Sequence, residues 1–375
     1  MLRELSSTPL HRTRRLHTRL TLSLLLLTSC ANAPKERVNT FGFRDQELDA
    51  GALPARISFG SCADQQRPQP ILAQVTARAP DLFVYLGDNI YGDTEDMQVL
   101  RDKYSQLAAK PEFQALRRSC PTLAIWDDHD YGVNDGGRHY PKKAESREVF
   151  LDFWREPASS ARRGHPGIYH AERFHADGRT LQVILLDTRT FRDDLRLRGE
   201  ATGFKNDYRP HEDGAHALLG EAQWRWLERQ LRAPADVRIV ATSIQFGHSY
   251  NGWESWTLFP RERERMIELI RSTEANGVLF ISGDVHWGEI NRQDVPGGYP
   301  LYDVTASGLN QDWDKIEPSA RRVGDAVAEY NFGSIEIDWA ADDPRVRLLS
   351  IDHTGKERNV VELRLSDIQV RRGAR

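Results

Sequence analysis

The chain has 375 residues, of which 39% are hydrophobic and 28% charged, with a formal net charge of −4. That is enough for one large domain or two ordinary ones, and the composition is that of a globular protein. After residue 30 no apolar run approaches the roughly 20 residues a spanning helix needs. The acidic balance excludes the broad basic face of a nucleic-acid binder.

The first thirty residues differ from the rest. Arg3, Arg12, Arg14, Arg15 and Arg19 precede the apolar run 20–27, which ends in Leu27-Thr28-Ser29-Cys30. A basic segment, a short hydrophobic segment and a small-residue end predict an export signal over 1–30. Leu-Thr-Ser-Cys resembles a lipoprotein box with Cys30 as the lipidated residue, so a periplasmic or membrane-anchored protein is expected. An ordinary signal peptide with an incidental cysteine is the alternative, and Arg14-Arg15 leaves twin-arginine export open. Beyond this segment the net charge is −8, since its five arginines face one acid, Glu4.

Residues 31–54 lack periodicity and read as a tether. Strands and helices then alternate: strand 56–60, helix 69–78, strand 81–87, helix 97–109, strand 121–126 and helix 142–154. The second half has strands at 181–186 and 237–244 around helix 221–231, then helix 261–275 and strand 278–282. Period-two strands follow at 334–339, 345–351 and 360–365. No linker interrupts 55–366, so one α/β domain is expected, with two packed β-sheets flanked by helices and a basic tail at 367–375.

Polar clusters fall where buried strands end, the place where α/β folds gather ligands. They are Ser61-Cys62-Ala63-Asp64, Gly87-Asp88-Asn89-Ile90-Tyr91-Gly92-Asp93, Asp127-Asp128-His129-Asp130 and Gly283-Asp284-Val285-His286-Trp287. One Gly-Asp after a strand is a turn. Four such clusters, whose carboxylates would be costly to desolvate without a cation, predict a metal site. Carboxylate, imidazole, phenolate and thiolate together suit a first-row transition ion beside a harder cation.

These residues carry a resemblance. Gly87-Asp88-Asn89-Ile90-Tyr91 matches the Gly-Asp-x-x-Tyr motif of purple acid phosphatases. Asp128-His129-Asp130 and Gly283-Asp284-Val285-His286 resemble the Asn-His-Asp/Glu and Gly-His-x-His elements of the metallophosphoesterase superfamily. Gly60-Ser61-Cys62, Trp126-Asp127-Asp128-His129 and Leu186-Asp187-Thr188-Arg189 resemble its PhoD-like (alkaline phosphatase D) branch. The resemblance implies a four-layer α/β/β/α metallophosphoesterase sandwich that hydrolyses small phosphate mono- or diesters with Fe3+ and Ca2+ and a metal-activated hydroxide. It further implies that Asp88 bridges the metals, that Cys62, Tyr91 and His286 hold iron, and that Asp128 and Asp284 hold the second ion. His129 would stand beside the substrate, oriented by Asp130.

The superfamily's opening Asp-x-His is absent, and Cys62 fits only the narrower branch. A Cys62–Cys120 disulfide is the alternative use of that thiol, with Asp64 as substitute ligand. Arg189 is a candidate for a phosphate oxygen or for a structural pair with Asp187. Asn134 is a candidate calcium ligand or turn cap, and His248, Glu254 and Trp256 are candidate pocket residues. Trp126, Tyr131, Trp253, Trp256 and Trp287 either line the cleft or fill core. A monomer is expected. The competing functions are a non-catalytic metal-binding envelope lipoprotein and the same chemistry aimed at phospholipids.

Overall fold

The computed structural model describes residues 41–199 and 208–370, all within the unit Glu36–Arg375. The expected signal segment, Cys30, most of the tether and the end of the basic tail lie outside the described residues. In chain order the elements are β1 (Arg56–Gly60), α1 (Ile71–Ala77), β2 (Leu82–Leu86), α2 (Met97–Ala108), α3 (Pro111–Ser119), β3 (Thr122–Ile125), α4 (Asp128–Tyr131) and α5 (Lys143–Phe153). Then come β4 (His170–Ala176), β5 (Arg179–Leu185), the short pair β6 (Arg196–Leu197) and β7 (Tyr208–Arg209), α6 (Gly220–Arg232), β8 (Val237–Ala241) and α7 (Pro260–Ser272). The chain closes with β9 (Val278–Ser282), β10 (Gly288–Gln293), β11 (Leu301–Ala306), β12 (Arg322–Val327), β13 (Asn331–Asp338), β14 (Arg345–Asp352) and β15 (Glu357–Arg364).

Two mixed sheets result. The first runs β15-β14-β13-β1-β2-β3 and the second β12-β10-β11-β9-β8-β5-β4. In the first, β1, β2 and β3 are parallel and the other three strands antiparallel. In the second, β5, β8, β9 and β11 are parallel, with β4, β10 and β12 antiparallel at the edges. β10 and β11 pack against β13 and β14 between the sheets, α1, α2, α3 and α5 pack among themselves beside the first sheet, and α6 and α7 serve the second. This is the expected arrangement of two sheets flanked by helices. Among the described residues no helix is long and apolar enough to cross a membrane.

The parallel strands β2, β8 and β9 are buried along their whole length, which is why β2 reads as an unbroken apolar run, β9 as one up to Ser282, and β8 as one interrupted only by Arg238. Periodicity missed β10 and β11 for the opposite reason. Their buried faces carry Glu289, Asn291 and Asp303. Asp303 is tolerated there because its carboxylate accepts from the amides of Phe246 and Gly247 and the hydroxyl of Ser282. Strands β4 and β12 and helix α3 were likewise not expected.

The stretch 41–54, read as the end of a tether, packs on the domain. Phe43 is buried, with its ring edge-on to Phe113 at 5.2 Å and tilted against Phe153 at 5.5 Å. The Asp45 carboxylate joins Arg117 at 2.6 Å and Arg155 at 2.8 Å. At the other end, β15 runs into a single 3-10 turn, and the Val370 amide donates to Asn276. The helix of 69–78 begins later than expected because Pro70 takes its N-cap position. Replacing Phe43 with Ala should cost about 3 kcal/mol in urea unfolding, the range for deleting a buried ring. A loss below about 0.5 kcal/mol, typical of a surface position, would return this segment to the tether.

Candidate metal centre

Five loops at strand ends meet on one side of the molecule. The first sheet supplies 61–64 after β1, 87–93 after β2 and 127–130 after β3, and the second supplies 283–287 after β9 and 307–310 after β11. Backbone hydrogen bonds stitch them together. The amides of Cys62 and Ala63 donate to the carbonyls of Gly87 and Asp88, at 3.3 and 2.8 Å. The amides of Leu309 and Asn310 donate to the carbonyls of Ser61 and Cys62, at 3.0 and 3.2 Å. Gly87, at φ +102°, lets the β2 loop press on the β3 loop, because a Cβ there would stand 2.5 Å from that of Asp127.

The loops are bent hard. Cys62, Asp88, Asp284 and His286 all have positive φ, between 49° and 77°. For residues other than glycine this costs about 1 kcal/mol each, and such outliers gather where function holds them. All four are among the expected ligands.

Their side chains converge. Ligand atoms of Cys62, Asp88 and His286 lie within 4.8 Å of one another, as do those of Asp88, Asp128 and His129, those of Asp127, Asp128 and Asp284, and those of Asp128, Asp135 and Glu254. Asp88 is shared by the first two groups. The Tyr91 hydroxyl lies 3.1 Å from His286 Nε2, on the cysteine side. Two adjoining subsites follow, one with Cys62, Tyr91 and His286, the other with Asp127, Asp128 and Asp284, and with Asp88 between them.

The electrostatics fit cations. Oδ1 of Asp88, Oδ1 of Asp128 and Oδ2 of Asp127 are buried without a hydrogen-bond partner, an expensive state for anionic oxygen in a dry site. Burial, with Cys62 beside it, raises the Asp88 carboxyl well above the carboxylate range, and burial together with Asp127 does the same to Asp284. Burial pushes the Cys62 thiol up to about 12 and His286 down to about 4. A cation inverts this balance, favouring carboxylate, thiolate and neutral imidazole together. Asp128 is the exception: burial opposes its charge, but Arg189 and His129 hold its carboxyl well below the usual range.

Two expected roles change. Asp130 does not orient His129. Its carboxylate accepts from the amides of Asp88 at 3.2 Å, Asn89 at 3.4 Å and Asp127 at 2.7 Å, and from the Asn89 side chain at 2.5 Å, so it ties the β2 loop to the β3 loop. The partner of His129 is Asp93, with Nδ1 and Oδ1 2.7 Å apart. A carboxylate only accepts, so Nδ1 carries the proton. Burial opposes the charge on His129, yet Asp128, Asp88 and Asp93 outweigh it and push it up to about 11.

Arg189 is the second change. It is fully buried, with its guanidinium between Asp127 and Glu254 and 3.7 Å from Asp128. It offsets the charge of the acidic subsite and is wholly enclosed by it. Glu254 also meets Arg192, at 3.2 Å.

Among the weaker candidates, Cys62 and Cys120 are both free, so the disulfide is not formed. The Asp64 carboxylate turns to Arg67 at 3.4 Å, away from the ligands. Asn134 is exposed, and Asp135 is the residue that joins Asp128. His248 is buried and accepts the Tyr250 amide at Nδ1, 3.1 Å. Trp126, Tyr131, Trp256 and Trp287 fill core. Asp127 stood in a quoted motif and its doubled acid was the available signal. Asp93 had a second Gly-Asp pair as its signal.

Known proteins share this sequence pattern and fold. The sequence profile of the PhoD-like phosphatase family matches residues 57–310. Alkaline phosphatase D of Bacillus subtilis (strain 168) is 28% identical over 244 residues, covering 55% of this chain and 41% of the relative, so the chain spans less than half of that protein's length. A solved structure of PhoD superposes with a TM-score of 0.62 at 18% identity, over 88% of this chain and 75% of that one. The purple acid phosphatase PPD1 from yellow lupin (Lupinus luteus) seeds gives 0.59 at 12% identity, over 86% and 56%. These two likenesses are of fold. With the profile spanning most of the described domain, the chain belongs to the PhoD-like phosphatase family.

Proposed function

We propose that the protein is an exported, metal-dependent phosphoesterase acting on small phosphate mono- or diesters. The observation that carries this reading is the meeting of two sets of ligand atoms on the buried carboxylate of Asp88. Cys62, Tyr91 and His286 would hold an ion such as Fe3+, and Asp127, Asp128 and Asp284 one such as Ca2+, the metals the resemblance implies. When bound, the pair would supply Lewis acidity toward the phosphoryl oxygens and an activated water.

The chain's own residues do the rest. His129 keeps 18% of its side chain exposed and Asp93 keeps 42%, whereas Asp88 and Asp128 are buried. That contrast makes His129 the group able to meet a substrate entering from solvent. With Nδ1–H directed at Asp93, its other nitrogen faces away from that carboxylate and, in the charged form, can give a proton to the departing ester oxygen. The Tyr91 ring, 4.3 Å from the His129 ring, limits its rotation. Asp130 and Arg189 hold the loops and the acids in register.

Membership of the family supports hydrolysis of phosphate esters, and the first thirty residues support export, in the periplasm or tethered through Cys30. Purified metal-replete protein should hydrolyse a chromogenic phosphate mono- or diester. Asp88→Ala should lose metal and lower turnover by more than about 100-fold, the most a neighbour of a ligand commonly costs. No turnover by the replete parent on either ester would refute the assignment. Asp93→Ala should lower kcat by about 100-fold with metal content unchanged, and an unchanged kcat would release His129 from this role. Cell fractionation should move the protein from the membrane to the soluble envelope fraction on Cys30→Ala. An identical distribution would exclude the lipid anchor.

A further inference from the structure

The turn after β11 carries a serine that no motif singled out. Ser307 is fully buried. Its Oγ accepts the His286 amide at 2.8 Å and lies 3.1 Å from Cys62 Sγ. A hydroxyl has one hydrogen and two lone pairs. With one lone pair engaged by the amide, the hydrogen is free to point at sulfur. Ser61 approaches the same sulfur at 3.3 Å, but its hydroxyl also faces the Ala306 carbonyl at 3.4 Å, so its hydrogen has two claimants.

Ser307 also occupies a particular place. Residues 306–310 run along the β1 loop, with the Ser61 amide donating to Ala306 and the amides of Leu309 and Asn310 donating back to Ser61 and Cys62. The Asn310 side chain adds hydrogen bonds to both the amide and the carbonyl of Asp64. One hydroxyl therefore links a candidate ligand on a loop of the first sheet to another on a loop of the second.

We propose that Ser307 is a positioning residue for the cysteine-bearing subsite, fixing Cys62 and His286 in one arrangement and drawing electron density from the sulfur. The inference rests on the metal reading above. A hydrogen bond to thiolate lowers the energy of the sulfur lone pairs, so sulfur gives charge to a metal less readily. Such outer partners commonly change metal affinity 10–100-fold.

The test uses the full chain and cobalt(II) alone, reading the sulfur-to-metal absorption band and the affinity by competition titration. Threonine keeps the hydroxyl, and valine keeps threonine's shape without it. Ser307→Thr should match the parent. Ser307→Val should move the band to lower energy and weaken cobalt binding by about 10–100-fold, while Ser61→Ala should move the band less. Equal bands and affinities for the parent and folded Ser307→Val overturn the inference and leave the metal centre standing. A parent with no sulfur band removes Cys62 from the ligand set and overturns the inference together with the cysteine-bearing subsite, leaving the acidic subsite. Should valine prevent folding, Ser307→Ala makes the same comparison. Failure of both to fold, with threonine folded, counts against the proposal by making the hydroxyl purely structural.

Discussion

Like charges crowded in a dry space are the constraint around which this protein is built. Asp127, Asp128 and Asp284 bring oxygens within 4.8 Å of one another, and Asp88 stands as close to Asp128, in mostly buried surroundings. Unpaired carboxylates in such surroundings cost several kcal/mol each. The chain answers from two sides. Arg189 is buried against Asp127, Asp128 and Glu254 and offsets the acids of one subsite. Asp130 gathers backbone amides from two loops, so those loops cannot spread to relieve the repulsion. The oxygens left without partners face the place where cations fit.

The two-sheet architecture makes that crowding possible. β1, β2 and β3 bring Cys62, Asp88, Asp127 and Asp128 to their ends, while β9 and β11 bring Asp284, His286 and Ser307. Neither sheet holds a complete ligand set. The hydrogen bonds between 61–64 and 306–310 join the sheets beside the candidate ligands, so the candidate metal centre and the packing between the sheets share residues. Positive φ at four candidate ligands is the local strain that this rigid frame sustains.

Exposure divides the site by task. Cys62, Asp88, Asp127 and Asp128 are buried, whereas the His129 and Asp93 side chains keep 18% and 42% of their surface exposed. A dry interior strengthens every interaction with a cation, and a half-open imidazole can still exchange its proton with solvent. Both conditions depend on one short stretch, because Asp88 and Asp93 lie in the same loop after β2 and the amide of Gly92 donates to the carbonyl of His129 at 2.9 Å.

The predominantly apolar runs of β2, β8 and β9, and the polar clusters that follow β2, β3 and β9, were legible along the chain because they depend only on neighbours in sequence. Cys62, Asp88, Tyr91, Asp128, Asp284 and His286 could be placed at strand ends for the same reason, since each stands just beyond a strand whose burial shows as hydrophobicity, while their candidate roles came from the resemblance. Partner choice was not. Asp130 and Asp93 are both acids close to His129 in the folded loop, and only the path of the backbone decides that Asp93 reaches the ring while Asp130 turns to amides. Arg189 could be assigned to substrate or to a salt bridge until its enclosure by Asp127 and Glu254 was seen. Strands β10 and β11 escaped notice because they bury Glu289, Asn291 and Asp303, and the two acids are met by residues distant in sequence. Residue type and order therefore determined which groups stand at the strand ends. The three-dimensional paths of the loops decided which of them touch, because hydrogen bonds and burial depend on distance in space, which composition and spacing do not encode.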